Sequence, residues 1–148
     1  DKALRLLAAW PGRDAAPDLL QAAGNAPDDV GKLLALGGYI RIIGLDANNP
    51  PPKEKADMYA SAWKLATRVD EKRLVLSGLA SVKDPAALKL LTDCLGDAGV
   101  RAEAETAAFQ LADRTKDQFK PEVKALMEKL AATTQNQDVI KRANGYVQ

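Results

Sequence analysis

The side chains that most often carry chemistry are scarce in this chain, which has no histidine and a single cysteine, Cys94. Without an imidazole there is no Ser-His-Asp or Cys-His pairing of nucleophile and base, and the commonest zinc ligand is missing. One thiol builds neither a metal–thiolate cluster nor an intrachain disulfide. Carboxylates remain, but their spacing explains them as surface. Glu103 and Glu105 are two apart and point in different directions on a helix. Asp28-Asp29 stands at a helix start, where negative charge complements the dipole. Asp93 and Asp97 lack the alternating oxygen ligands of a calcium loop. Leu36-Gly37-Gly38-Tyr39 falls inside a helical pattern rather than between a strand and a helix, so it is no phosphate loop. Cys94 shares an apolar stripe with Leu91 and Leu95 and reads as a small buried hydrophobe. No catalytic, cofactor-binding or metal-binding residue is expected, and the chain is not expected to be an enzyme.

Residues suited to binding are easier to find. Tyr59 and Trp63, four apart on one helix, would form an aromatic platform for a peptide or sugar if exposed. The same helix carries Met58, Ala62 and Leu65, so its broad apolar surface equally suits core packing, which is the preferred reading. Asn48 and Asn49 open the stiff segment Asn48–Pro52, a spacer or a docking element. Trp10, at a helix end before Pro11, is expected to pack against the next hairpin.

Charge narrows the partners. The chain has 21 basic and 20 acidic residues in 148, a net charge of +1, and the signs are interspersed, as in Asp70-Glu71-Lys72-Arg73. Nucleic-acid binding draws its affinity from a basic excess or stripe, and none is present. Polybasic attraction to a membrane surface is equally unsupported, and no apolar run approaches the ~18 residues of a membrane span. The expected partner is another protein or an adjoining domain of the same polypeptide, with no cofactor, no nucleic acid and no membrane insertion.

The elements that must position these residues are helical. Ala and Leu supply most of the apolar surface while aromatics make up 5%, and both residues lead the helix-propensity ranking. Punctuation recurs at short intervals. A helix over 2–10 stops at Pro11-Gly12, and Asp14 is placed to cap the next, which ends at Gly24-Asn25. Pro27 suits a first helical position, and that helix runs to Ile43 before Gly44. Helices follow over 53–68 and, capped by Asp70, to Val82. Asp84-Pro85 is an N-cap followed by proline at the first position. Its helix ends at Gly96, and further helices occupy 99–115, 120–132 and 136 onward. Ala87, Leu88, Leu91, Cys94 and Leu95 share one face of the sixth helix, and Phe119, Val123, Leu126, Met127 and Leu130 one face of the eighth. Tyr39-Ile40-Arg41-Ile42-Ile43 has strand propensity but occupies a helical slot.

A repeat is visible. Gly38, Gly78, Gln110 and Gly145 share a column when the segments 35–40, 75–80, 107–112 and 142–147 are aligned. A mid-helix glycine costs ~1 kcal/mol against alanine, so three suggest a shared reason, such as close approach of a neighbouring helix. With Asp84-Pro85, the basic residues Lys32, Lys72 and Lys141, and the run Ala35-Leu36-x-Gly-Tyr-Ile-Arg-x-Ile-Gly-Leu45, the chain resembles the HEAT-repeat (armadillo-like) family over essentially its whole length. The resemblance implies a short right-handed α-solenoid of about nine helices: one domain, 1–148, with a leading helix at 2–10 and antiparallel hairpins at 14–44, 53–82, 84–115 and 120–148. It also implies a scaffolding or interaction role, as in HEAT segments of large, often exported bacterial proteins that adjoin sugar-active or haem-binding units. An accessory domain positioning such a unit is the alternative. HEAT-like DNA glycosylases offer a third reading, which the balanced charge disfavours. Opening at Asp1-Lys2 without a methionine, the chain reads as a segment cut from a longer protein.

Overall fold

The structure, a computed structural model, describes residues 2–45 and 50–147. Among them are nine α-helices and no strand: α1 (Lys2–Ala8), α2 (Ala16–Asn25), α3 (Asp29–Ile43), α4 (Pro52–Leu65), α5 (Val69–Leu79), α6 (Pro85–Cys94), α7 (Arg101–Thr115), α8 (Lys120–Thr133) and α9 (Gln137–Asn144). Short 3-10 turns, Arg13–Ala15 and Ala98–Val100, lead into α2 and α7. The all-helical expectation is met. Asn48 and Asn49 lie outside the described residues.

Packing divides the chain into two compact units, Asp1–Gly78 and Leu79–Gln148. In the first, α3 packs against α1, α2 and α4. Its Ala35, Leu36, Tyr39, Ile40, Ile42 and Ile43 are buried and occupy several sides of the helix. A helix buried on several sides is a central one, and the run at 39–43 is helical despite its strand propensity, with Arg41 its one exposed residue. In the second unit α8 packs against α6, α7 and α9, and α6 against α7. Both amphipathic stripes read from the sequence are inward. Ala87, Leu88, Leu91, Cys94 and Leu95 are fully buried, as are Leu126, Met127 and Leu130, each large side chain contributing about 1.5–3 kcal/mol by leaving water.

Helix starts show where sequence signals competed. Asp84 caps α6 by accepting the Ala86 N–H at 2.9 Å, and Asn136 caps α9 by accepting from Asp138 and Val139. Asp28, rather than Pro27, begins α3; its Oδ1 accepts the Gly31 N–H at 2.6 Å, so the proline sits just outside the helix. Asp14 does not cap α2 but lies in the preceding 3-10 turn, and the N-cap is Ala15. Asp70 falls inside α5. The start of that helix is held by Glu71, whose carboxylate accepts the N–H groups of Thr67 (3.1 Å) and Arg68 (2.9 Å). This is half of a capping box, with glutamate at N3 reaching back to the N-cap nitrogen. Glu71 is fully buried in the process.

The glycine column divides. A Cβ on Gly38 would lie 2.8 Å from the Cα of Ala8, so α1 crosses α3 at the distance only glycine permits. One on Gly78 would collide with the Tyr59 hydroxyl and ring. Gly145 is different: it is the C-cap of α9 rather than a mid-helix residue, and a Cβ there meets nothing beyond its own helix's Arg142 carbonyl. Gln110 is exposed. Close approach therefore explains two members of the column, not three.

Candidate interaction groove

The sequence-stated aromatic pair does not form a surface platform. Tyr59 is buried, 4% exposed, against Gly78, and burial pushes its phenol pKa up. Trp63 is half-buried, with the Lys72 ammonium 5.8 Å from its ring centroid. Ala56, Tyr59 and Ala62 are the buried residues of α4; on an ideal helix of ~3.6 residues per turn Trp63 shares their arc, but it stands in the last turn of α4 and is covered only in part. Trp10, expected in a hairpin contact, is half exposed, because α1 ends at Ala8 and the chain leaves the helix before it.

The surface that does present apolar area is on α3 and went unread in the sequence. Val30 is 72% exposed and Leu74 43% exposed, and they border a groove of about 640 Å³ within the first unit. Its floor is α3, through Leu33, Leu34, Gly37 and Gly38; one wall is α1, through Arg5 and Ala8. A second hollow of about 340 Å³ continues it past Val30, shares Arg5 and Leu34, and reaches Leu4, Ala26 and Pro27. Gly37 opens the floor, since a Cβ there would meet nothing within 4 Å. Exposed apolar surface that is contiguous, unlike scattered single side chains, marks interaction sites.

The groove is held open by a cap. The Arg41 guanidinium donates to the carbonyl of Ala8 from Nε (3.1 Å) and from Nη2 (2.8 Å), and Nη2 also donates to the Trp10 carbonyl at 2.6 Å. Cationic side chains suit the negative end of a helix, and this one ties the C-terminus of α1 to α3 where Gly38 lets the two backbones meet. Arg13 and Glu54 form an ion pair between the 3-10 turn and α4, and the Lys32 ammonium donates to Thr67 Oγ1 at 3.0 Å. Val30 was legible as an apolar residue but not as part of a surface, because the sequence does not show which side of a largely apolar helix its neighbours leave uncovered.

Residues with chemical potential are engaged structurally. Cys94 is buried, and burial first, with the charges of Asp93 and Asp97 adding, pushes its thiol pKa up to about 12; a thiol held neutral is a poor nucleophile. Asp28 is occupied as a cap. Among the described residues no group of three or more His, Cys, Asp or Glu is placed to hold a metal ion, and no helix is long and apolar enough to cross a membrane. Comparison of the chain with protein-family models, with curated proteins and with solved structures finds no match in any of the three.

Proposed function

We propose that this chain is a non-catalytic helical-repeat domain that binds another protein, or an adjoining domain of its own polypeptide, through the groove on α3. The single observation that carries the reading is that groove: an apolar floor with Val30 and Leu74 left exposed beside α1, whose C-terminus Arg41 caps. Burying such side chains in a partner contributes about 25 cal/mol per Å² of apolar surface. The succession of short-linked helices fits stacking of hairpins in the right-handed HEAT manner, in which each repeat covers its neighbour's apolar face.

A photo-crosslinking side chain placed at Val30, in the cells that make the protein, tests this directly. A discrete adduct is expected, suppressed by Leu74→Glu and absent when the crosslinker is placed instead at exposed Lys89. The mass of the adduct separates a free protein partner from a neighbouring domain, the arrangement in which this segment positions a catalytic unit. No adduct at Val30, or the same diffuse products from both positions, would overturn the proposal.

A further inference from the structure

Lys116, Lys120 and Lys124 recur at every fourth residue across the turn that joins α7 to α8. Lys120 opens α8 and Lys124 follows one turn later on the same side. Arg142 of α9 and Tyr146 just beyond it face the same hollow, which has a volume of about 530 Å³ and lies wholly in the second unit. Four cations line it against one carboxylate, Asp117.

The neighbouring carboxylate that would neutralise the lysines is already committed. Asp113 Oδ1 accepts the Tyr146 hydroxyl, and Oδ2 lies 3.6 Å from the Arg142 guanidinium. That guanidinium sits 4.0 Å from the centroid of the Phe109 ring, with Tyr146 tilted against the same ring at 6.1 Å. Asp113, Arg142, Tyr146 and Phe109 thus form one cluster that draws Asp113 toward the arginine and the tyrosine rather than toward the lysines. Lys124 has only a 3.9 Å approach to Glu128 between exposed groups, a contact that water screens. Among the described residues, Lys116 and Lys120 have no carboxylate at ion-pair distance. The start of α8 adds positive partial charge on the same side, since its N-cap, Phe119, offers no side-chain acceptor.

Like charges around a hollow focus the field and concentrate counter-ions there. Flexible ammonium groups act as point charges on a tetrahedral, many-oxygened anion, whereas a planar carboxylate is better matched by a guanidinium fork; here three of the four cations are ammonium groups, and the guanidinium lies over the Phe109 ring beside Asp113. We infer that this hollow binds a phosphate-bearing ligand carrying two or more negative charges, recognised by Lys116, Lys120 and Lys124. Such a group comes either on a small soluble molecule or on a lipid headgroup. This site is independent of the groove on α3 and stands or falls separately.

The test is a titration of the whole chain with inorganic pyrophosphate, followed by amide NMR at a fixed ionic strength of about 0.15 M. Saturable shifts are expected at residues 116–124 and 145–147. The double variant Lys116→Gln/Lys120→Gln should weaken binding at least about tenfold, as removal of two charges a few ångströms from a dianion requires. Lys55→Gln/Lys64→Gln, in the first unit, should leave it unchanged. A parallel arm uses phosphatidylcholine vesicles with and without a phosphoinositide. Lysine-dependent binding in either arm supports the site and identifies the source of the phosphate. Helicity by circular dichroism checks that the exposed substitutions leave the fold intact. Absence of saturable binding in both arms, or binding that the Lys116→Gln/Lys120→Gln variant leaves untouched, would overturn the assignment.

Discussion

Gly37 and Gly38 are adjacent in the middle of α3, yet replacing each with alanine should move stability in opposite directions. By helix propensity alone, either change stabilises by about 1 kcal/mol. Gly37 should realise that gain, because its Cβ would meet no atom within 4 Å. At Gly38 the new methyl would lie 2.8 Å from both the Cα and the Cβ of Ala8 and 3.1 Å from its carbonyl oxygen. Carbon atoms pack at about 3.5–4.0 Å, so α1 must retreat by roughly 1 Å, and backbone offers no rotamer to relieve the clash. Retreat also lengthens the two hydrogen bonds from Arg41 to the Ala8 carbonyl. Overpacking costs about 1–3 kcal/mol, and weakening a charged hydrogen bond adds about 1 kcal/mol. Set against the propensity gain, Gly38→Ala should destabilise by about 2 kcal/mol, some 3 kcal/mol below Gly37→Ala. Urea unfolding followed by circular dichroism reads the global effect, and amide exchange across α1 reads local detachment of that helix. If Gly38→Ala matches or exceeds the parent in midpoint while α1 keeps its protection, the close crossing of α1 and α3 is not what the glycine is for.

Other expectations follow from buried polar groups. Glu71→Ala, which removes the acceptor of the Thr67 and Arg68 N–H groups, should cost about 1–2 kcal/mol in thermal unfolding; Glu71→Gln keeps an amide oxygen there and should cost less, and equal losses would argue against capping. Cys94 should resist thiol reagents in the folded chain at neutral pH and react only at the rate of unfolding, since burial holds it protonated; fast labelling in native buffer would contradict the packed core. Alkaline stability should reflect the same burial. The folded pKa values of Cys94 and Tyr39, both about 12, exceed the ordinary 9.0 and 10.0, so the unfolded chain releases these protons first. Their contribution is therefore complete below pH 9 and lost as pH rises toward 12. A urea midpoint that stays flat across that range, or one whose slope Cys94→Ala leaves unaltered, would contradict it.

The stripe of α6 was readable because one side of that helix is polar: Lys89 and Asp93 are exposed and Leu88, Leu91 and Leu95 buried, as the spacing required. The cap at Asp84 was readable for a similarly local reason, since an N-cap needs only its own first turn. Glu71 was passed over in favour of Asp70, although a glutamate three residues into a helix is itself a recognised start signal. That Tyr59 is buried while Trp63 is only half-buried was not legible, because the two share one arc of α4 and Met58, Ala62 and Leu65 supply apolar neighbours to both.

Helix content, the cap at Asp84 and the absence of histidine chemistry are properties of short windows, and the sequence determined them by itself: backbone hydrogen bonds in a helix span four residues, and a cap acts over the same distance. Which glycine meets a neighbouring backbone, which side of the largely apolar α3 stays uncovered, and how Lys116, Lys120 and Arg142 come to face one hollow were decided by tertiary structure alone. Those outcomes depend on the relative placement of helices many residues apart, and no local pattern of residue types encodes that distance.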